Sequence, residues 1–277
     1  MFLITGARGQ LGTELWHMLG ERACGIDIDD LDLTDEKALY AFFRANRFDA
    51  IINCAGYTAV DQAQSQSEAA RTLNERVPFY LAKTGVPILQ ISTDFVFDGA
   101  LRCPYRESDE TNPLSVYGVT KRDGEIAVLE NAAGVIVLRT AWLYSPFGAR
   151  NFVRTMRRLG RERDTVSVVN DQTGSPTNAA DLAQAICTIL PSLRSGIREI
   201  YHYSNEGGCT WCDFASEIMR LSGLGASVLP ITTADYPTPA VRPAYSVLSK
   251  EKIKRDYGVC VPDWKESLAN SLQRGDW

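Results

Sequence analysis

An α/β architecture, a doubly wound parallel sheet with helices on both faces and a smaller C-terminal lobe, is the fold class this sequence predicts. Three observations carry it. Short apolar, β-branched runs alternate with helical stretches through the first half of the chain. A glycine cluster, Gly6-Ala-Arg-Gly9-Gln-Leu-Gly12, stands between the first run and the first helix. Beyond about residue 145 the alternation loosens, as expected where additions to the sheet and a second lobe begin.

The elements follow in order. Phe2–Thr5 reads as the first strand, stopped by Gly6, and Leu11–Leu19 as a helix with Leu11, Leu15 and Leu19 on one face. Ala23–Ile28 is the next strand. Asp35–Asn46 is helical, with Thr34 as the expected N-cap. Ala50–Asn53 is a strand ended by Gly56, and Ser67–Thr84 a long helix closed by Gly85. Val86–Ile91 is a buried strand with its proline near the start, where a strand tolerates one. A loop rich in Pro, Asp, Glu and Asn (Pro104–Pro113) leads into a helix carrying Tyr117, and Val135–Arg139 is a further buried strand. In the second half Asn151–Gly160, Ala179–Leu190 and Trp211–Ser222 read as helices, and Val166–Val169 and Ile200–Ser204 as strands. The four prolines between Pro230 and Pro243 predict an extended loop. No repeat or low-complexity tract interrupts this order.

Composition narrows the class. A chain of 277 residues with 45% hydrophobic and 23% charged residues has the balance of a soluble globular protein. A net charge of −5 argues against nucleic acid as the main partner. No apolar run approaches the ~18 residues that span a membrane, and Phe2–Thr5 is too short for a secretory h-region. Seven scattered cysteines fit a reducing, cytoplasmic setting. Only two histidines, His17 and His202, are present, which disfavours a His-rich metal site or a His-based triad; no metal ligand is assigned.

A strand, then glycines, then a helix N-terminus makes a cradle for a pyrophosphate, because backbone N–H groups and the helix dipole face the anion. Gly6, Gly9 and Gly12 have that arrangement, with the spacing G-x-x-G-x-x-G. Asp27 lies 21 residues after Gly6, the offset of an acid that binds a ribose 2′-hydroxyl. That acid points to NADH, whereas Arg8 inside the turn suits the 2′-phosphate of NADPH, so use of either cofactor is expected. Residues 1–145 are thus expected to form a Rossmann-type NAD(P)-binding domain. Residues 146–277 are expected to be mostly a substrate-binding lobe, with some segments returning to the main sheet.

Tyr117 and Lys121 are four apart, on one face of a helix. An ammonium beside a phenol favours the phenolate and is expected to lower its pKa. Such a phenol exchanges a proton with a carbonyl or alcohol oxygen while a hydride moves on carbon. Ser92-Thr93-Asp94 follows a buried strand, where open α/β sheets place their ligands, so a hydroxyl there reaches the reacting oxygen. Cys209-Thr-Trp-Cys212 has redox spacing but no second such pair, and a functional thiol is not expected. His202 is expected to be structural.

Together, G-x-x-G-x-x-G, Ser-Thr-Asp and Tyr-x-x-x-Lys resemble the extended short-chain dehydrogenase/reductase family. Further stretches carry the resemblance along nearly the whole chain: Leu31-Asp-Leu33, Tyr57-Thr-Ala-Val-Asp61, Ser92–Gly99, Arg139-Thr-Ala-Trp-Leu-Tyr144, Asn151-Phe-Val153, Val169–Thr177 and Arg242–Leu248. The resemblance implies a cytoplasmic NAD(P)H-dependent reductase acting on the 4-keto group of a dTDP-linked sugar. It implies Thr93, Tyr117 and Lys121 as catalytic residues. Cofactor contacts map onto Gly6, Gly9, Gln10, Leu11, Gly12, Asp27, Asp32, Leu33, Cys54, Ala55, Gly56, Tyr117 and Lys121. Sugar-nucleotide contacts map onto Thr93, Asp94, Trp142, Asn151 and Arg242, whose guanidinium suits a diphosphate. Some family members bind Mg²⁺ at a homodimer interface, but no position here is assigned to it. The sequence departs from the family where Phe95 replaces a usual tyrosine, Gly56 a usual alanine, and Gln62-Ala-Gln64 a usual Lys-Ala-Glu. Two alternatives stay open: a reductase of another 4-keto nucleotide sugar, and a non-catalytic NAD(P)-binding regulatory subunit like that of methionine adenosyltransferase. The intact Thr93, Tyr117 and Lys121 weigh against the second.

Overall fold

The computed structural model describes residues 1–275 and 277. The first half runs β1 (Phe2–Thr5), α1 (Gln10–Leu19), β2 (Ala23–Ile26), α2 (Glu36–Ala45), β3 (Ala50–Asn53), α3 (Val60–Ala63), α4 (Ser67–Arg71), α5 (Val77–Ala82), β4 (Ile88–Thr93), α6 (Val116–Asn131) and β5 (Val135–Thr140). Then come β6 (Leu143–Tyr144), α7 (Phe152–Glu162), β7 (Thr165–Val169), β8 (Thr173–Gly174), β9 (Thr177–Asn178), α8 (Ala179–Ile189) and β10 (Arg198–His202). The chain finishes through β11 (Cys209–Thr210), α9 (Trp211–Leu221), β12 (Ser227–Ile231), α10 (Glu251–Tyr257) and α11 (Trp264–Gln273).

Six strands form one parallel sheet in the order β2-β1-β3-β4-β5-β10. Successive side chains of a strand point to opposite faces, and a strand buried on both sides reads as a near-continuous apolar run. Leu3 and Ile4, Ile51 and Ile52, and Ile88 and Leu89 divide in this way. Ile4, Ile52 and Leu89 meet Leu11 and Leu15 of α1 and Leu182 and Ile186 of α8. Leu3, Ile51 and Ile88 meet Leu39 of α2, Leu81 of α5 and Val128 of α6. The chain leaves β1 to one side for β2 and returns to the other for β3. This reversal opens a crevice at the strands' C-terminal ends, where ligands bind in such sheets. A second core joins Tyr144, Val153, Met156, Phe214, Ile218 and Trp264 from β6, α7, α9 and α11.

Several boundaries differ from those expected. Asp35, not Thr34, caps α2: its carboxylate accepts from the N–H groups of Lys37 and Ala38, while the Thr34 hydroxyl turns back to Asp32. The long helix expected over 67–84 contains a π-helical turn at Thr72–Arg76. Its cause is local. Pro78 has no N–H for the carbonyl of Asn74 four residues earlier, and Gly124 of α6 packs so closely that a Cβ there would lie 1.9 Å from that oxygen. The strand expected over 86–91 starts at Ile88, after Pro87, and continues to Thr93. The strand expected over 200–204 sits two residues earlier, as β10. The stretch expected to be a loop from Pro230 begins inside β12, which pairs with β7 in a two-stranded sheet. As an outer strand, β12 tolerates the N–H that Pro230 lacks.

Candidate active site

One cavity of ≈ 900 Å³ opens at the crevice beside β1 and β3 and extends to the second lobe. Every residue that the sequence assigned to cofactor, substrate or chemistry lines it, from Gly6 to Arg242.

The floor is the glycine turn. Gly6 has φ 65°, and a Cβ there would lie 2.8 Å from the Ala55 backbone nitrogen. A Cβ on Gly12 would come within 2.2 Å of the Gly6 carbonyl oxygen, so strand and helix approach only because both residues are glycine. Gly9 is the N-cap of α1, and no side chain caps that helix. Its first-turn N–H groups are therefore not taken by a side-chain oxygen and face the cavity, which suits a pyrophosphate. Asp27, at the end of β2, accepts from the backbone N–H groups of Arg8 and Ile28 at 3.0 and 2.9 Å. The Arg8 guanidinium is engaged with Asp29 and, at 3.3 Å, with Asp30. Asp32 holds the Thr34 N–H at 2.9 Å, and Leu33 is buried. Cys54, Ala55 and Gly56 follow β3 along the same wall. Gly56 packs closely on Asn74: a Cβ there would lie 3.1 Å from its Oδ1. That amide oxygen accepts from the Tyr57 N–H at 2.8 Å, and its Nδ2 donates to the Tyr57 carbonyl and to Thr120. These groups fit a dinucleotide.

The chemistry gathers at the ends of β4 and α6. Ser115 caps α6 by accepting from the Gly118 N–H at 3.2 Å, which sets Tyr117 and Lys121 facing the cavity. The Lys121 ammonium donates to the Ile91 carbonyl at 2.6 Å. Burial pushes its pKa down to about 8, against the pull of Glu125 one turn on. Glu125 is itself buried and paired with Arg139 of β5, Nε at 2.9 Å and Nη2 at 2.7 Å, and accepts from the Ser92 hydroxyl. This pair ties α6 to the sheet directly beneath Lys121. Thr93 caps a 3₁₀ turn through the Phe95 N–H at 3.2 Å and donates to Asp94 at 3.1 Å. Burial raises the Asp94 carboxyl to about 6, and its Oδ2 has no hydrogen-bond partner.

The expectation for Tyr117 is overturned. Burial raises the phenol to about 12, with the Thr93 hydroxyl pulling it back and the Asp94 charge adding to the rise. Desolvation of the phenolate outweighs any help from the ammonium, which is directed at the Ile91 carbonyl instead. The phenol thus keeps its proton at neutral pH. Phe95 packs edge-on against it, ring centroids 5.6 Å apart.

The far wall comes from the second lobe. Asn151 caps α7 through the Arg154 N–H and donates to Gln10 Oε1 at 2.9 Å, so it anchors the lobe to α1. Arg242 forms a two-pronged ion pair with Asp61 at 2.8 and 3.0 Å and also donates to Thr238 and the Ala240 carbonyl. The guanidinium expected to meet a diphosphate is thus held by a carboxylate, which it keeps below its usual pKa. Trp142 stacks on Trp211, ring centroids 3.5 Å apart and planes 8° apart. Trp211, Asp61, Asn74 and Glu125 were not assigned roles from the sequence. Trp211 was visible only as the start of a helix, and Glu125 only as a residue one turn beyond Lys121. Cys209 and Cys212 are unbonded, and burial raises both thiols. His202 is buried, its Nε2 3.3 Å from Arg139, and stays away from the cavity. Among the described residues no cluster of His, Cys, Asp or Glu is placed to hold a metal ion, and no helix is long and apolar enough to cross a membrane.

Known proteins match this chain over nearly its full length. A family model for the RmlD substrate binding domain matches residues 1–276. A dTDP-4-dehydrorhamnose reductase from Streptomyces griseus is 41% identical over 282 residues, covering 98% of this chain and 92% of that one. A probable dTDP-4,6-dihydroxy-2-methyloxan-3-one 4-ketoreductase from Streptomyces antibioticus is 41% identical, covering 98% and 94%. The crystal structure of dTDP-4-dehydrorhamnose reductase from Bacillus anthracis in complex with NADP superimposes with a TM-score of 0.93 at 35% identity, covering 98% of each chain. With the family model matched over residues 1–276 and relatives 41% identical over 98% of its length, the chain belongs to the RmlD substrate binding domain family.

Proposed function

We propose that this protein reduces the 4-keto group of dTDP-4-dehydro-L-rhamnose to give dTDP-L-rhamnose, a precursor for surface polysaccharide, with NADH or NADPH as reductant. The observation that carries the reading is the meeting of Thr93, Tyr117 and Lys121 with the uncapped glycine turn in one cavity. The relatives named above supply the substrate.

NADH or NADPH, when bound along the glycine turn, would supply the hydride. The protein's own groups do the rest. Thr93 and Tyr117 take the ketone oxygen between their hydroxyls, and Tyr117 passes its proton to that oxygen as the alcohol forms. A phenol near 12 is fully loaded with the proton it must give. Lys121 holds the nicotinamide ribose and adds positive charge where oxyanion character develops. Asp94, Trp142, Asn151 and Arg242 hold the sugar nucleotide. Asp27 holds the adenine ribose and favours NADH, since Arg8 is already engaged by Asp29 and Asp30. The first 145 residues serve the cofactor and most of the remainder serves the sugar nucleotide, in a cytoplasmic enzyme that the family resemblance suggests is a homodimer. Mg²⁺ has no role in this reading.

A second reading, reduction of another dTDP-linked 4-keto sugar, is favoured by the Streptomyces antibioticus relative. Steady-state rates with dTDP-4-dehydro-L-rhamnose and with other 4-keto dTDP sugars decide between them. The first reading expects the highest kcat/KM with dTDP-4-dehydro-L-rhamnose; a higher value with a different sugar would replace it.

A further inference from the structure

Trp142 is the one non-glycine residue with positive φ among the described residues, at 46°. A bulky side chain there costs backbone energy, and such strain persists only where the surroundings over-determine it. A hydrogen bond, an aromatic stack and a close backbone surround Trp142. The Trp142 carbonyl accepts from the Thr177 N–H at 3.2 Å. The indole lies flat on Trp211, which also packs on Phe152 with centroids 4.6 Å apart. Beside the same indole stands Gly174, where a Cβ would lie 2.6 Å from Cε2 and 2.8 Å from Nε1.

One short ladder places both supports. β8 and β11 pair antiparallel, Cys209 opposite Gly174 and Thr210 opposite Thr173. Thr210 then caps α9 through the Asp213 N–H, with the Asp213 carboxylate returning to the Thr210 N–H, so Trp211 becomes the first residue of a pinned helix. The Thr210 hydroxyl also reaches Asn170 at 2.7 Å. The 170–174 segment therefore fixes Gly174 and Trp211 together against the indole of Trp142, in the turn between β5 and β6.

We propose that Trp211 and Gly174 are positioning residues for the sugar nucleotide. They hold Trp142 in its strained conformation, so that the paired indoles form one rigid wall against which an apolar face of the substrate packs. This rests on the reading of the cavity as a nucleotide-sugar site.

The test uses Trp211→Leu, Trp211→Phe and Gly174→Ala in the full chain. Two stacked indoles give a coupled circular-dichroism signal that single indoles lack. Trp211→Leu removes that signal and raises the KM for the sugar nucleotide about tenfold, the scale of one lost aromatic stack. It leaves the Kd for NADH unchanged and kcat within about twofold. Trp211→Phe, which keeps a ring to stack, restores most of the KM without the signal. Gly174→Ala keeps both indoles yet weakens the signal and raises KM, which covers the case in which Trp211→Leu does not fold. Wild-type KM in both Trp211→Leu and Gly174→Ala overturns the proposal. A loss of NADH affinity equal to the loss in KM also overturns it, since that marks a general structural role. A wild-type protein that binds NADH but turns over no nucleotide sugar sinks the function instead, and the signal changes remain readable.

Discussion

The two sides of the cavity are built in different ways. The cofactor side is local: Gly6, Gly9 and Gly12 lie within seven residues, and Tyr117 and Lys121 within one helical turn. The sugar side is assembled from afar. Asp61 meets Arg242 across 181 residues, Asn151 meets Gln10 across 141, and Trp142 meets Trp211 across a ladder formed by two other segments. Backbone geometry suffices to cradle a dinucleotide, so its signature is contiguous. A wall that recognises one sugar needs side chains held by tertiary contacts, and its signature is scattered.

That contrast can be broken most sharply at the chemistry. Tyr117→Phe keeps NADH binding and loses turnover on the order of 10²–10⁴-fold; stopped-flow reduction and fluorescence titration check the two halves. If turnover stays near wild type, the phenol is not the acid. Gly12→Ala attacks the cofactor side alone. Its Cβ would lie 2.2 Å from the Gly6 oxygen, so β1 and α1 must separate. Dinucleotide affinity should fall by at least about tenfold, the scale of overpacking a tight contact, as read by isothermal titration.

The pH dependence comes next in size. Lys121 titrates near 8, so kcat/KM falls as pH rises above about 8, while Tyr117 near 12 keeps its proton. Stability moves the opposite way. The unfolded lysine holds its proton to 10.5, so between about 8 and 10.5 the unfolded state binds more protons and Lys121 makes folding more favourable as pH rises. Rate profiles and urea melts across that window check both signs; Lys121→Arg should move the rate bend to higher pH.

On the sugar side, Arg242→Ala should raise the KM for the nucleotide sugar severalfold. Its partly exposed ion pair with Asp61 should cost less than about 1 kcal/mol of stability. A large drop in Tm with unchanged KM would make Arg242 a strut rather than a ligand. The smallest effect is expected from Asp27→Asn, a shift of about twofold toward NADPH in the ratio of kcat/KM values.

The same division explains what the sequence disclosed. The parallel sheet was readable because strands buried on both faces begin with apolar runs, as Ile51-Ile52 and Ile88-Leu89 do; the buried polar residues Asn53, Gln90, Ser92 and Thr93 come toward the ends that face the cavity. Strand ends were less so: β4 starts only after Pro87, which lacks an N–H, and β2 ends at Ile26 because the Asp30 and Leu31 N–H groups turn back to the Asp27 carbonyl. The π turn at Thr72–Arg76 needs Pro78 and Gly124 together, and only one of them is nearby in sequence. The Tyr117–Lys121 pair was visible as spacing, but its electrostatics were not. Burial decides those, so the phenol rises where an isolated helix face would suggest a fall. Trp211 shows no local signal of its role, because the stack exists only after β8 and β11 pair.

The most direct test is NADH or NADPH oxidation by the purified protein with dTDP-4-dehydro-L-rhamnose, with the product identified. The prediction is stoichiometric cofactor oxidation and formation of dTDP-L-rhamnose, abolished in Tyr117→Phe. Tight NADH binding with no turnover of any 4-keto nucleotide sugar would contradict it.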